Sequence, residues 1–398
     1  MTPAARLSAA GDILDTLDYS RLVDPQLKSW ARRNRFAGSG DRRAIADRVY
    51  TCLRTKRTSA ALGGDTSGRA LVLGSLVAVD ELSVEAVASL CTGGYGLGTL
   101  TDHERSSLQS SLGSLSEAER FDWPDWLLPE ARAVFGDEVG VELQALRHRA
   151  PLDLRVNTLR GTVSEARKSL ENEGLESETT TICETALRLP PSTSILNTAA
   201  FRDGLVEPQD AASQAIATFV VAKPGDTVLD YCAGAGGKTV AIAAIMRNEG
   251  KLFAHDIDPQ RMSELSQRAE KCDVTIIECK GQQDIAPNSC DAVLIDAPCS
   301  GSGSWRRDPI GKWRLDPKRL NELHKAQREA LTSAARFVRL GGTLTYATCS
   351  ILPSENKDQV DWFLSQSLEF SLVDTLNLWP ARDGCDGFYA ARFQRRDK

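Results

Sequence analysis

The spacing of apolar residues divides the chain into a helical first third and a longer region of mixed strands and helices. Apolar positions recur three and four residues apart over 44–53 and again over 84–90, as they do along one face of a helix. Glycine-rich and polar turns separate such segments. The pattern predicts an all-helical domain over residues 1–140.

From residue 151 onward the apolar positions come in short runs with helical stretches between them. Residues 152–156 alternate like a strand, 163–172 have helical spacing, and 186–189 form a second short strand. These elements predict a small α/β module over residues 151–205.

Beyond residue 206, strand and helix patterns alternate repeatedly. Strands are predicted at 227–232, 252–256, 274–278, 292–296 and 343–347. Helices are predicted at 238–246, 259–271, 317–340 and 354–365. Alternation of this kind builds a parallel sheet that helices cover on both faces. The sequence therefore predicts a third domain, of α/β class, over residues 206–398.

The composition is that of an ordinary globular chain. Of the 398 residues, 41% are apolar and 26% are charged, close to the average for globular domains, and the length predicts two or three domains. The best candidate for a membrane span, residues 70–79, is too short and is followed by Asp80 and Glu81. Because the N-terminus also lacks a charged-then-apolar signal pattern, we predict a cytoplasmic protein without membrane association.

Ten cysteines are distributed along the chain, and their spacing predicts neither a zinc site nor a disulfide scaffold. No two of them stand in the C-x-x-C spacing that structural zinc sites use. Disulfides are rare in large cytosolic proteins. We therefore predict no bound metal and expect most cysteine side chains to be small buried groups.

A glycine-rich turn follows the first strand predicted in the third domain, over residues 229–239. Glycines at such a position let the backbone approach a ligand at the carboxyl edge of a parallel sheet. A P-loop would need glycine at Cys232 and a dinucleotide-binding turn would need glycine at Thr239, so both are excluded. The remaining pattern is typical of S-adenosylmethionine-dependent methyltransferases, with Asp256 placed to accept hydrogen bonds from the ribose hydroxyls. A tight turn without a ligand remains the alternative at this point.

Two cysteines follow predicted strands at this same edge of the sheet. Cys299 comes three residues after the strand-end carboxylate Asp296, and Cys349 follows the strand that ends at Ala347. Because the carboxyl ends of parallel strands meet at one edge, we expect both thiols to reach the crevice beside the glycine turn. A single cysteine there would favour buried packing. Two beside a methyl-donor turn favour nucleophilic chemistry, which needs a thiolate or a nearby base.

Several ordered motifs together resemble the Nop/Sun (Fmu/RsmB-type) family of RNA cytosine-5 methyltransferases. Over about 205–398 the resemblance is carried by Asp-Ala-Pro-Cys-Ser at 296–300, Ala-Thr-Cys-Ser at 347–350 and Cys-Ala-x-x-Gly-Gly-Lys-Thr at 232–239, with shorter matches such as Glu-Asn at 355–356. Upstream, residues 41–54 are similar to the helical NusB-like RNA-binding domain of that family. The resemblance implies a Rossmann-like class I methyltransferase domain preceded by a small α/β module and the NusB-like domain.

The resemblance also assigns the residues of a site. It implies that Cys349 attacks carbon 6 of cytosine and that Cys299 helps remove the carbon 5 proton and release the product. It implies that Asp296, kept partly protonated by burial, hydrogen-bonds the ring nitrogen. The implied contacts to S-adenosyl-L-methionine are Cys232, Ala233, Gly234, Ala235, Gly236, Gly237, Lys238, Asp256 and Asp296.

The chain departs from the family pattern in the glycine turn and after the third strand of the sheet. Ala235 stands where the family usually has proline, and Gly234 where it usually has alanine. Both residues are small enough for the turn. The family's acidic residue near the adenine has no clear counterpart in residues 278–284, where Asp284 is a candidate.

Charge is distributed unevenly, although the net charge of −6 by itself argues mildly against a nucleic-acid partner. Residues 28–57 carry ten basic and two acidic side chains, and residues 305–328 carry eight and three. Together with the resemblance, these segments predict phosphate contacts to RNA, with 16S ribosomal RNA as the expected substrate. A transfer RNA or DNA cytosine methyltransferase and a non-catalytic RNA-binding assembly factor remain alternatives. The Thr-Cys-Ser motif at 348–350 favours RNA over DNA.

Overall fold

The computed structural model describes residues 1–92, 94–110 and 112–396, and the chain divides into two units. The first unit comprises residues 1–149 together with 304–315, and the second comprises 150–303 together with 316–398. The predicted third domain, 206–398, therefore needs a correction, because its segment 304–315 belongs to the helical unit. The sequence analysis divides the chain into continuous segments, so it cannot assign a short internal segment to a different unit.

Helices build the first unit, as the apolar pattern over 1–140 predicts. They are α1 (Pro3–Asp15), α2 (Val23–Arg33), α3 (Ser39–Arg54), α4 (Lys56–Gly63), α5 (Gly68–Ala78), α6 (Val84–Cys91), α7 (Asp102–Leu108), α8 (Glu117–Arg120), α9 (Leu128–Phe135), α10 (Val139–Ala145) and α16 (Pro309–Arg314). The hydroxyls of Ser67 and Ser83 accept backbone N–H groups in the first turns of α5 and α6 and so fix where these helices begin. Leu53, Leu73 and, from α16, Ile310 lie in one buried apolar core.

Helix α16 brings a lysine into the interior of the first unit. Lys312 is 2% exposed, and its ammonium donates to the backbone carbonyl of Arg54 at 3.1 Å and lies 4.7 Å from the ring centroid of Trp313. Burial lowers the pKa of Lys312 to about 8, although the carboxylate of Asp122 opposes the shift. The segment 304–315 is thus held by polar as well as apolar contacts.

We expect the pH dependence of stability to report this buried lysine. Because the pKa of Lys312 is about 8 in the folded chain and 10.5 ordinarily, the unfolded chain binds more protons between these two values. The free energy of unfolding should therefore rise with pH across that window, by up to about 3 kcal/mol from this group. Denaturant titrations of Lys312→Met should lack this rise, and identical pH profiles for the two proteins would contradict the assignment.

A four-stranded antiparallel sheet opens the second unit. Its order is β2–β3–β1–β4, from strands β1 (Leu152–Val156), β2 (Glu178–Thr179), β3 (Ala186–Leu189) and β4 (Val206–Pro208), with helices α11 (Val163–Glu171) and α12 (Ala199–Arg202). The strands predicted at 152–156 and 186–189 are confirmed. The sheet runs past the predicted module boundary at residue 205, because β4 pairs with β1.

The central sheet of the second unit has the strand order β10–β11–β9–β8–β5–β6–β7. Its strands are β5 (Thr227–Asp230), β6 (Lys251–Ala254), β7 (Ile277–Cys279), β8 (Cys290–Asp296), β9 (Val338–Thr348), β10 (Phe370–Leu378) and β11 (Phe388–Arg395). Strands β5 to β9 are parallel, whereas β11 and β10 are antiparallel additions at one edge. The connecting helices are α13 (Ala211–Phe219), α14 (Gly237–Ile245), α15 (Leu265–Lys271), α17 (Pro317–Ala335) and α18 (Lys357–Gln366). Because the chain order reverses between β5 and β8, a ligand crevice is expected at their carboxyl ends.

The parallel part of this sheet confirms the predicted Rossmann-like architecture. The helix predicted at 354–365 begins later, at Lys357, because the residues Pro353–Glu355 form a short 3-10 turn first. The hairpin of β10 and β11 is absent from the sequence prediction, because most of β10 is exposed and carries no clear apolar alternation. In the part of the chain that the structure describes, no helix has both the length and the apolar character needed to cross a membrane.

Candidate active site

The glycine turn between β5 and α14 forms the floor of the crevice. Gly234 and Gly236 have φ values of 51° and 81°, in the left-handed region that side chains with a Cβ rarely adopt. A Cβ at Gly236 would also stand 2.1 Å from Leu265 Cδ1. Both observations explain why this turn is rich in glycine.

Asp256, just beyond β6, supports the turn from the side. Its carboxylate accepts the backbone N–H groups of Gly234 and Asp258, each at 3.0 Å, and forms an ion pair with Arg261 at 3.3 Å. The residue is 2% exposed. A buried carboxylate with several donors is a fixed acceptor, so Asp256 also shapes the backbone around it.

A cavity of about 690 Å³ opens beside this turn. Two of the predicted cofactor contacts, Cys232 and Asp256, line it together with apolar side chains that include Ile257, Met262 and Pro298. The volume lies in the range of small-molecule sites. An apolar wall beside a buried acceptor suits the flat base and the ribose hydroxyls of a nucleoside, so the residues fit S-adenosylmethionine.

The other predicted contacts lie elsewhere around the crevice. Residues 233–238 and Asp296 are not among the residues that line the cavity. After β7, residues 280–283 line it, whereas the carboxylate of Asp284 accepts the backbone N–H of Gly281 at 3.2 Å. Gln283 therefore lines the cavity, whereas Asp284 does not. Among the described residues, no group of three or more His, Cys, Asp or Glu side chains is arranged to hold a metal ion.

The end of β5 carries the acidic residue that precedes the glycine turn. Asp230 is buried and accepts the hydroxyl of Thr239 at 2.7 Å. Burial raises the pKa of Asp230 to about 7, and the negative charge of Asp296 acts in the same direction. A carboxyl that titrates near neutrality thus lies beneath the glycine turn.

The structure brings the two predicted catalytic cysteines together. Strands β8 and β9 are parallel neighbours, with Asp296 opposite Ala347, so the loops that follow them leave the sheet side by side. The sulfurs of Cys299 and Cys349 are 3.5 Å apart. Two thiols at this distance can share one proton and one bound substrate.

The surroundings of Cys299 shift the pKa of its thiol. The hydrogen bond to Cys349 and then burial raise the pKa of Cys299 well above its ordinary value, and the charge of Glu355 adds to the shift. Cys299 therefore holds its proton at neutral pH. In the contact between the two sulfurs, either atom can be the donor.

An ion pair adjoins the cysteines. Lys238 Nζ is 2.7 Å from Asp296 Oδ2 and 5.1 Å from the ring centroid of Phe388. Burial alone would lower the pKa of Lys238, but the negative charge of Asp296 and the hydrogen bond to it outweigh burial, so the pKa is raised. The sequence analysis expects burial to keep Asp296 partly protonated. In the structure, however, the Asp296 side chain is 31% exposed and has a cationic partner.

Cys232, which lines the cavity, is the third cysteine at this sheet edge. Burial raises the pKa of its thiol, and the negative charges of Asp230 and Asp296 raise it further. A thiol in such surroundings is a poor nucleophile at neutral pH. This environment suits a packing role for Cys232 beside the cavity.

Two family models match the chain across this site and the small sheet. The model described as 16S rRNA methyltransferase RsmB/F matches residues 217–394. The model described as the ferredoxin-like domain of RsmF/B-like methyltransferases matches residues 123–195. The first range contains both cysteines and the central sheet except for the last residue of β11.

Curated relatives match over a longer stretch. The Ribosomal RNA small subunit methyltransferase B of Enterobacter sp. (strain 638) is 32% identical over 308 residues, which are 74% of this chain and 72% of that protein. The chain belongs to the RsmB/F family of methyltransferases. The protein of the same name from Pectobacterium carotovorum subsp. carotovorum (strain PC1) is 30% identical over 74% of this chain and 71% of its own. This RsmB/F family member is an S-adenosylmethionine-dependent RNA methyltransferase, which confirms the family and the cofactor predicted from the motifs.

Solved structures share the fold of this RsmB/F family member. The crystal structure of PH0851 aligns with a TM-score of 0.79 and 25% identity over 99% of both chains. NSun6 from Pyrococcus horikoshii, solved with SFG, aligns with a TM-score of 0.64 and 18% identity over 69% of this chain and 99% of that chain. The second likeness shows the fold alone, and both agree with a Rossmann-like catalytic domain.

We expect Asp256→Ala to weaken S-adenosylmethionine binding at least about tenfold, because a buried hydrogen-bond acceptor is lost. Calorimetry with the cofactor measures this directly. Asp256→Asn is the matched variant, since its side-chain oxygen can still accept the N–H of Gly234, and it should lose less affinity. Unchanged binding by Asp256→Ala would remove Asp256 from the cofactor site.

Proposed function

We propose that the chain transfers a methyl group to carbon 5 of a cytosine in 16S ribosomal RNA, through a temporary bond between Cys349 and carbon 6. The observation that carries this proposal is the 3.5 Å distance between the sulfurs of Cys299 and Cys349, beside the ion pair of Lys238 and Asp296. Relatives named as ribosomal RNA small subunit methyltransferases support the substrate. On the same ground we propose that the protein works in the cytoplasm, where bacterial ribosomes assemble.

The first step of the reaction overcomes the low reactivity of carbon 5 of cytosine. Carbon 5 is a weak nucleophile until a nucleophile adds to carbon 6, and covalent catalysis divides the reaction into two easier steps. Cys349 gives its thiol proton to the carboxylate of Asp296 as its sulfur bonds to carbon 6, and the electrons of the carbon 5–carbon 6 double bond shift through carbon 4 to the ring nitrogen. Asp296 then passes this proton to the ring nitrogen and takes it back when the product is released, while the ammonium of Lys238 stabilises the negative charge that develops during addition.

The cofactor fits the cavity beside the turn. Asp256 would hold the ribose hydroxyls, Gln283 would lie near the base, and Ile257 and Pro298 would pack against it. When bound, S-adenosylmethionine supplies the electrophilic methyl group that carbon 5 takes up.

Product release needs a base for the carbon 5 proton, and Cys299 is suited to it. Its pKa is raised chiefly by the hydrogen bond to Cys349, and the charge of Cys349 adds to this. Once the sulfur of Cys349 is bound to carbon, it no longer carries charge or accepts that hydrogen bond as before, so Cys299 ionises more readily. The thiolate of Cys299 then takes the carbon 5 proton, the electrons re-form the double bond, and the bond from Cys349 to carbon 6 breaks.

The first unit offers a surface for RNA phosphates. Six basic side chains of residues 28–43 are exposed: Lys28, Arg32, Arg33, Arg35, Arg42 and Arg43. Such a surface supplies sequence-independent affinity for RNA, which base-specific contacts in the second unit would complement. The segment 305–328 contributes less than its composition predicts, because Arg306 and Lys312 are buried.

Mapping the methylated cytosine tests the proposal. Bisulfite sequencing of RNA from cells with and without the protein should reveal a cytosine in 16S ribosomal RNA that is protected only when the protein is present. The purified protein should methylate the same position with S-adenosylmethionine, and should leave transfer RNA and DNA unmodified. Methylation of transfer RNA or DNA instead would replace the proposed substrate, and the absence of any new 5-methylcytosine would favour an assembly factor.

We expect RNA affinity to fall steeply with salt, because phosphate contacts release bound counterions. A variant in which glutamine replaces four arginines should show a shallower slope by up to about 3 in log affinity against log salt concentration. These arginines are Arg32, Arg33, Arg42 and Arg43. The matched control replaces four exposed basic residues of the second unit: Arg167, Lys168, Arg202 and Lys223. Equal slopes in the wild type and both variants would mean that the basic surface is only solvated.

A further inference from the structure

The turn that follows Cys349 reaches back to both cysteine loops. Glu355, which is fully buried, lies at the end of the 3-10 turn Pro353–Glu355, and Asn356 is the next residue. The backbone carbonyl of Glu355 accepts the hydroxyl of Tyr346 at 2.6 Å, which ties the turn to strand β9. Two adjacent buried polar side chains thus stand on a firmly attached piece of backbone.

The carboxylate of Glu355 holds the loop of Cys299. Its Oε1 accepts the backbone N–H of Ser300 at 2.8 Å and the side-chain amide of Gln327 at 3.0 Å, and its Oε2 accepts the hydroxyl of Ser300. Gln327 also donates to the backbone carbonyl of Pro298 at 3.0 Å. The residues on both sides of Cys299 are therefore fixed through Glu355, directly or by way of Gln327.

The amide of Asn356 holds the loop of Cys349 in the same manner. Its Oδ1 accepts the hydroxyl of Thr348 at 2.5 Å, and its Nδ2 donates to the backbone carbonyl of Ser350 at 2.9 Å. These contacts again flank the cysteine on both sides. Asn356 is 4% exposed, so water does not compete for these hydrogen bonds.

We propose that Glu355 and Asn356, together called the 355–356 brace, are positioning residues for the two cysteines. Glu355 holds the loop of Cys299 and Asn356 holds the loop of Cys349, so that the two sulfurs stay close together. The inference rests on the proposed function, because it assigns one step of that reaction to each loop. Neither side chain has to touch the substrate. The brace explains how two separate loops keep their sulfurs 3.5 Å apart.

Substitutions of Glu355 and of Asn356 should affect different steps of the reaction. In Glu355→Ala the loop of Cys299 loses both hydrogen bonds from Ser300, and Gln327 loses one, so attack and methyl transfer should continue while release slows. A protein–RNA adduct carrying the methyl group should then accumulate by at least about tenfold over the wild type. In Asn356→Ala the attacking sulfur is misplaced, so kcat should fall by at least about tenfold with no adduct and little change in KM.

Conservative and matched variants separate positioning from loss of structure. Glu355→Gln keeps an oxygen for the N–H of Ser300 and should restore most of the release rate. Glu369→Ala and Asn321→Ala remove the same side chains from exposed positions and should behave as wild type. Calorimetry should show unchanged cofactor affinity in every variant that folds. If Glu355→Ala does not fold, an adduct level in Glu355→Gln between those of the wild type and Cys299→Ala supports the brace, and the wild-type level counts against it.

Alkylation of the thiols gives a readout that does not depend on the reaction. Peptide mass spectrometry after iodoacetamide treatment, without RNA, should show the larger change in rate at Cys299 for Glu355→Ala and at Cys349 for Asn356→Ala. Equal effects of both variants on both cysteines, or no effect on either, would overturn the brace. If the alkylation pattern holds but Cys299→Ala forms no adduct with RNA, the brace stands and the proposed covalent mechanism fails.

Discussion

Cys349→Ala should abolish methylation and form no covalent complex with RNA, whereas Cys299→Ala should remain bound covalently to a methylated product. The family resemblance assigns attack to Cys349 and product release to Cys299, and the two sulfurs are 3.5 Å apart, so both can reach one bound cytosine. Without Cys349 no sulfur can add to carbon 6. Without Cys299 the addition and the methyl transfer can proceed, but the base that takes the carbon 5 proton is missing.

Denaturing electrophoresis of each variant with RNA and labelled S-adenosylmethionine measures both outcomes. Cys299→Ala should give a slowly migrating species that carries the label, and Cys349→Ala should give none. Cys183→Ala, in the loop between β2 and β3, is the control and should release its product as the wild type does. The reverse pattern, with the labelled adduct in Cys349→Ala, would make Cys299 the nucleophile. No adduct in either variant would argue against covalent catalysis.

Strand ends were the most informative feature of the sequence. Cys299 and Cys349 are 50 positions apart, yet each follows an apolar run that predicts a buried parallel strand. The carboxyl ends of such strands lie at one edge of a sheet. That reasoning needs only the direction of the strands, so it places the two thiols together without any knowledge of side-chain contacts. The 3.5 Å distance between the sulfurs confirms the expected convergence.

Side-chain partners are harder to predict, because they depend on packing between segments far apart in sequence. Lys238 begins a helix, and nothing in its local sequence shows that its ammonium pairs with Asp296. Glu355 was recognised as part of a family motif, but its hydrogen bonds to Ser300 and Gln327 exist only once β9 and α17 are packed. Both roles follow from three-dimensional contacts that spacing along the chain does not encode.

Charge counts along a segment also overstate the exposed charge. Arg54, one of the ten basic residues in 28–57, is 7% exposed and donates to the backbone carbonyl of Arg306 at 2.7 Å. Lys312, from the second basic segment, is buried as well. Such side chains hold the segment 304–315 in the first unit instead of contacting RNA.

Deletion of residues 1–149 should therefore cost the protein its solubility, although every residue of the active site is retained. In the first unit Trp305 is 1% exposed and lies 4.8 Å from Trp123 between ring centroids, and Ile310 is fully buried in the helical core. The deletion removes the partners of both side chains. Each loses about 1.5–3 kcal/mol of burial energy, and both become exposed apolar side chains. Light scattering of the purified fragment should show aggregation.

A second deletion tests whether the segment 304–315 is the cause. The same fragment with 304–315 replaced by a glycine–serine linker of equal length should be monomeric and bind S-adenosylmethionine with the affinity of the full chain, because the cavity is lined wholly by residues of the second unit. It should not methylate RNA, since the basic surface of residues 28–43 is gone. If the fragment that keeps 304–315 is equally monomeric and melts at the same temperature, the segment does not depend on the first unit. If only the first fragment aggregates, the helical unit has a role besides any part in RNA binding. It covers the apolar side chains of segment 304–315, which follows the loop of Cys299 in the chain.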